Sequence, residues 1–130
     1  MPSMQPHREE RPYPPWWHKR AAARKALLDA AVTRLRSALP GIAGARVAIV
    51  FGSYASGTVG PESDLDIMLI RETDEPPLRR ANDLYADLQL GVPFDVVVYT
   101  PVEFERLRNE RPFVAQAAEH GLWIHAAPSV

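Results

Sequence analysis

Asp64-Leu65-Asp66-Ile67-Met68-Leu69-Ile70 is the stretch on which the fold turns. A strand's period of two puts Leu65, Ile67 and Leu69 on one face and Asp64 and Asp66 on the other. The run predicts a strand over 64–70 that carries two neighbouring acids. Two such carboxylates repel, and in an otherwise apolar strand they are costly to desolvate. A divalent cation resolves the conflict, because hard oxygen ligands at this spacing suit Mg2+ or Mn2+.

Upstream, Arg46-Val-Ala-Ile-Val-Phe51 is a short β-branched run that predicts a buried strand. Gly52-Ser53 breaks it, at a place where glycine lets backbone N–H groups approach an anion and a serine hydroxyl adds a donor. Gly57, Gly60 and Pro61 then predict a turn-rich connection to the acid-bearing strand. Downstream, Phe94-Asp-Val-Val-Val-Tyr99 predicts a third strand, again with an acid, Asp95, among apolar residues. Pairing of adjacent strands would bring Asp95 beside the first two acids. Three carboxylates so placed predict a two-metal site, one cation activating an attacking oxygen and the other holding the leaving phosphates.

The helices follow from period 3.6. Leu28, Ala31, Val32, Leu35 and Leu39 predict a helix from His18 to Leu39, stopped by Pro40-Gly41. Residues 77–90 read as a second helix with Leu78, Ala81, Leu84, Tyr85 and Leu88 on one face. Thr100-Pro101-Val102-Glu103 has the pattern of a capping box. A helix of about eight residues follows it, then one over 112–120 ending at Gly121. Leu122 to His125 predict a last edge strand. The expected architecture is an α/β (α+β) domain with a small mixed sheet flanked by helices.

Residues 1–17 hold Pro2, Pro6, Pro12, Pro14 and Pro15, which predict a flexible proline-rich arm ahead of a domain over 18–130. Trp16 and Trp17 at its end either pin the arm to the domain or dock a partner. At 130 residues the chain suffices for one domain with a real core. Absence of cysteine excludes disulfides and thiolate metal sites. No apolar run is long enough for a signal peptide or a membrane helix, so the expectation is a soluble, cytoplasmic protein. Residues 1–40 carry eight Lys/Arg against three acids, and the remainder seven against thirteen. That basic front suits an acidic partner or is a solvated helix face. His7, His18, His120 and His125 lack ligand spacing, Trp123 reads as core, and Arg79-Arg80 reads as solvated. Arg46 and Arg71, at strand ends, are set aside.

Phe51-Gly-Ser-Tyr-Ala-Ser-Gly57 followed by Ser63-Asp-Leu-Asp-Ile67 resembles the signature of the polymerase-β-type nucleotidyltransferases, in which Gly-Ser stands ten residues before Asp-x-Asp; here Tyr54 to Ser63 are those ten. The likeness covers roughly residues 28–125. It implies a polymerase-β-like fold and transfer of a nucleoside monophosphate from an NTP to an acceptor, with pyrophosphate leaving. Gly52 and Ser53 would hold the β- and γ-phosphates. Asp64 and Asp66 would ligate both metals, and Asp95 the catalytic metal while helping to deprotonate the acceptor hydroxyl. One departure stands out: many small relatives carry a basic residue where this chain has Ser56.

The size points to the minimal nucleotidyltransferases, which are commonly paired with a helical HEPN-type protein. In some pairs that partner is a toxin ribonuclease, silenced when the small antitoxin enzyme adds AMP from ATP to a tyrosine. The resemblance implies this activity, with Mg2+ or Mn2+ as cofactor and no direct binding of nucleic acid. Two alternatives stand beside it. One is a subunit that modifies a small molecule such as an antibiotic; the other is a silent module that binds nucleotide or a partner. The intact Gly-Ser and three acids argue against silence.

Overall fold

The computed structural model describes residues 12–126. Four strands, β1 (Ala45–Phe51), β2 (Leu65–Arg71), β3 (Phe94–Tyr99) and β4 (Leu122–His125), form one sheet in the order β3-β2-β1-β4. β1 runs antiparallel to both β2 and β4, while β2 and β3 are parallel. The sheet is therefore mixed, as expected, and β4 lies on its edge. The five α-helices among the described residues are α1 (Pro15–Ala38), α2 (Ser53–Ser56), α3 (Asn82–Asp87), α4 (Pro101–Glu110) and α5 (Pro112–His120).

Alternation along the strands sorts the side chains onto two cores. Leu65, Ile67 and Leu69 join Ala48, Val50, Val98 and Ile124 under α1 and α3. From α1 the stripe Leu28, Ala31, Val32, Leu35 and Leu39 packs there, as its spacing dictates. Leu28 and Leu39 are wholly buried, so truncating either to alanine would cost about 2–5 kcal/mol. The opposite face, with Val47, Ile49, Met68 and Ile70, is covered by Phe104 and Leu107 of α4 and Val114 and Ala117 of α5.

Several boundaries differ from the sequence reading. α1 starts at Pro15, so Trp16 and Trp17 lie in its first turn rather than in an arm. A proline at N1 tolerates this start, because that N–H has no helical partner in any case. The rest of the expected arm, residues 1–11, lies outside the described residues. The expected helix over 77–90 is a 3-10 turn at Pro77–Arg79 followed by the short α3. Leu78 is 95% exposed and Tyr85 half exposed, so no single apolar face runs through the segment. Between the two pieces the Arg80 side chain turns inward, onto Glu75 O and Glu103.

The capping box is formed: Thr100 Oγ1 accepts from Glu103 N, and Glu103 Oε1 accepts from Thr100 N. Gly121 follows α5 in an extended conformation rather than a left-handed one. It is needed for closeness, since a Cβ there would collide with Ile49 and with the Ala117 carbonyl.

Candidate active site

β2 begins at Leu65, which leaves Asp64 as the residue entering it. Asp66 pairs with Phe51 across the antiparallel side and with Asp95 across the parallel side. Asp66 and Asp95 thus stand side by side on adjacent strands. By alternation they share the face of Met68, Ile70, Val97 and Tyr99. Asp66 is half-buried, whereas Asp64 and Asp95 are exposed. Its carboxyl is raised above the ordinary aspartate value, first by burial and then by the charges of Asp95 and Asp64. The three acids expected from the sequence therefore feel one another, with Asp66 in the middle.

Gly52 closes the site on the β1 side. It adopts φ 76°, ψ −150°, a conformation open essentially to glycine alone. A Cβ at this position would collide with Asp66 Oδ2. Absence of a side chain is what lets the Gly52 backbone and the Asp66 carboxylate approach each other. Ser53 opens α2, whose first N–H groups lack helical acceptors. Ser56, where small relatives carry a basic residue, donates from its Oγ to Ser53 O and shares a 2.8 Å hydrogen bond with Thr58 Oγ1. It serves the turn and brings no charge.

α1 holds this region from outside. Tyr54 Oη donates to Asp29 Oδ1 at 2.5 Å, and Lys25 Nζ donates to the same carboxylate at 3.1 Å. Burial and the neighbouring Asp29 push the Tyr54 hydroxyl up to about 12. Hydrogen bonds from Tyr54 and Lys25 in turn lower Asp29. Arg24 Nε donates to Pro61 O at 2.9 Å, and the Trp17 ring lies against Gly60, so α1 also anchors the turn that leads into Asp64. Trp17 stacks on Tyr13, with centroids 4.0 Å apart. Trp16 stays 53% exposed with the Arg20 guanidinium over its ring. Of the basic residues at the front of the chain, Arg24 and Lys25 are therefore engaged within the domain and Arg20 covers Trp16.

Two arginines set aside in the sequence are structural anchors. Arg71 is buried, giving paired hydrogen bonds to Asp83 and further ones to the carbonyls of Ala43 and Arg80. Arg80, expected to be solvated, is equally buried and pairs in bidentate fashion with Glu103. Arg46 pairs with Glu72 at the surface. Trp123 sits in the second core, as expected, with its Nε1 donating to Ala118 O. Sequence reading also missed Tyr54–Asp29, a pair with no local signal because it spans 25 positions.

The family model described as nucleotidyltransferase domain matches residues 31–124, from mid-α1 into β4. This chain belongs to that family. The match contains Gly52, Ser53 and all three acids. The general reaction of this nucleotidyltransferase is thus transfer of a nucleotidyl group from a nucleoside triphosphate. A solved structure from Sulfolobus solfataricus, carrying a provisional nucleotidyltransferase assignment, is 18% identical over 74% of this chain and 84% of that one, with a TM-score of 0.44. No curated protein matches the nucleotidyltransferase described here.

Whether the acids fit a cation is decided by their placement. Among the described residues, no three His, Cys, Asp or Glu side chains are already gathered tightly enough to cage a metal. Asp66 and Asp95 are nevertheless register neighbours, and the charges of Asp95 and Asp64 both raise the Asp66 carboxyl. Carboxylate oxygens are the donors that a hard divalent ion takes, and Asp64 and Asp95 are exposed. The donor set fits. No helix among the described residues is long and apolar enough to cross a membrane.

Proposed function

We propose that this domain moves AMP from ATP onto a hydroxyl of a partner protein, a tyrosine of a HEPN-type toxin, as the antitoxin of the pair. The carrying observation is the register that sets Asp66 beside Asp95 and against a glycine that tolerates no side chain. Asp64, Asp66 and Asp95 hold divalent metal, Mg2+ or Mn2+, in this reading. A metal held by these acids would supply charge neutralisation of the triphosphate and polarisation of its phosphoryl group. Gly52 and Ser53 present backbone N–H groups and a hydroxyl to the β- and γ-phosphates. Asp95, exposed near the start of β3, takes the proton of the incoming hydroxyl. Tyr54, Trp17 and Arg24 keep the two loops in place while the acids do this work.

For the partner, α1 supports the reading. Trp16, Arg20 and Leu27 stand on one exposed helical face, and aromatic and arginine side chains so placed are typical interface anchors.

The test is incubation with labelled ATP, GTP, CTP or UTP, Mg2+ and the product of a neighbouring gene encoding a small helical protein, followed by mass spectrometry. The expected result is AMP on a tyrosine of that protein, abolished in Asp64→Asn/Asp66→Asn. Label retained by the double variant would refute the metal reading. Label found only on a small molecule would replace the protein acceptor with that compound.

A further inference from the structure

Phe51 ends the row that begins with Asp95 and Asp66. Beyond it the sheet face opens into a cleft of about 510 Å3, between Phe51, Gly52 and Ser56 on one side and Phe113, Gln116 and His120 of α5 on the other. That volume falls within the roughly 300–1,000 Å3 of small-molecule sites. Phe113 stands edge-on to Phe51, with centroids 5.3 Å apart, and is 51% exposed. Its neighbours Val114 and Ala117 are packed beneath the sheet, so α5 has apolar surface on two sides. The Phe113 side meets solvent rather than core. Gln116 and His120 are exposed and supply the polar groups of an otherwise apolar wall.

We infer that this cleft receives the nucleobase and ribose of the nucleoside triphosphate, with Phe113 as the stacking face and Gln116 as the reader of the base edge. The inference rests on the reading above, in which the phosphates lie over Gly52 and Ser53. Gly52 belongs to both places, lining the cleft and touching Asp66. A ligand anchored there by phosphates has its nucleoside as the uncharged, flat portion. The carboxylates repel a second anion, whereas an apolar cleft with a half-free aromatic ring suits a base. A glutamine amide offers a donor and an acceptor together, the pair that an adenine edge presents in reverse. A protein acceptor is the competing occupant.

Calorimetric titration of the full chain in Mg2+ with ATP, the other NTPs and inorganic tripolyphosphate tests this. Wild-type protein should bind ATP more tightly than tripolyphosphate. Phe113→Ala should weaken ATP about tenfold, within the range expected for loss of base stacking, and leave tripolyphosphate unchanged. Gln116→Leu should shrink the difference between ATP and the other NTPs. Should Phe113→Ala melt early, Phe113→Leu keeps apolar volume without the ring and carries the same expectation. Unchanged ATP affinity in a folded Phe113 variant overturns the inference, and if transfer is lost at the same time the cleft belongs to the acceptor. Wild-type protein that binds tripolyphosphate as tightly as ATP overturns the cleft assignment alone. Protein that binds neither overturns nucleotidyl transfer itself.

Discussion

Replacing Gly52 by alanine tests the geometry at the centre of the site. Two costs arise, and they are separable. The first is backbone: φ 76°, ψ −150° lies in a region that a residue with a Cβ occupies only under strain, about 1–3 kcal/mol. The second is contact. The added Cβ collides with Asp66 Oδ2, and turning that carboxylate off its rotamer costs about 0.5–1.5 kcal/mol. Together they predict a loss of about 1.5–4.5 kcal/mol, a fall in Tm of about 6–18 °C for a domain this size. Urea unfolding of Gly52→Ala in wild-type and Asp66→Ala backgrounds separates the terms. In the Asp66→Ala background the contact cost disappears and only the backbone cost should remain, so the two changes couple by about 1 kcal/mol. A loss below about 0.5 kcal/mol, or equal losses in both backgrounds, would refute the placement of Asp66 over Gly52.

Asp66→Asn should stabilise the metal-free protein. The folded carboxyl is raised by burial and by Asp95 and Asp64, so its stability contribution is present in acid and lost as pH rises through the folded value. In thermal melts with a chelator the variant should gain on wild type at neutral pH and lose that advantage as the pH falls below the ordinary aspartate range, and added Mg2+ should stabilise wild type alone; a variant less stable at neutral pH contradicts this. The Arg80–Glu103 pair should respond unequally. Glu103→Ala strands a buried guanidinium and should cost about 3–5 kcal/mol in urea unfolding, whereas Arg80→Met leaves a carboxylate that is 30% exposed and costs less; equal costs would show that Arg80 is hydrated. Tyr54 should ionise at about 12 by ultraviolet titration, and Asp29→Asn should bring it down; no movement would mean that the bond from α1 to α2 is not made in solution.

Local pattern determined much of this protein. Alternating apolar residues dictated the strands, because a period of two needs no knowledge of what lies opposite. The α1 stripe and the Thr100–Glu103 capping box were legible for the same reason, each interaction closing within a few residues. So were Gly52, Ser53 and the three acids as candidates, since an acid within an apolar strand is anomalous in any fold. Tertiary structure alone decided which acids meet. The parallel pairing of β2 with β3 sets Asp95 opposite Asp66, and register is a property of two strands that neither sequence contains. It also decided that Arg71 and Arg80 are buried: a guanidinium goes inside only where a carboxylate and free carbonyls are already waiting, and Asp83, Glu103 and Ala43 come from other segments. The residues 77–90 show the reverse case. Their helical period was real in the sequence, yet the segment folds as a 3-10 turn and a short helix with Arg80 between them bound to Glu103, for local preference is a weak term that partners from elsewhere in the chain override. The cleft beside Gly52 belongs to the same class, because Phe51 and Phe113 face each other only once α5 has packed across the sheet.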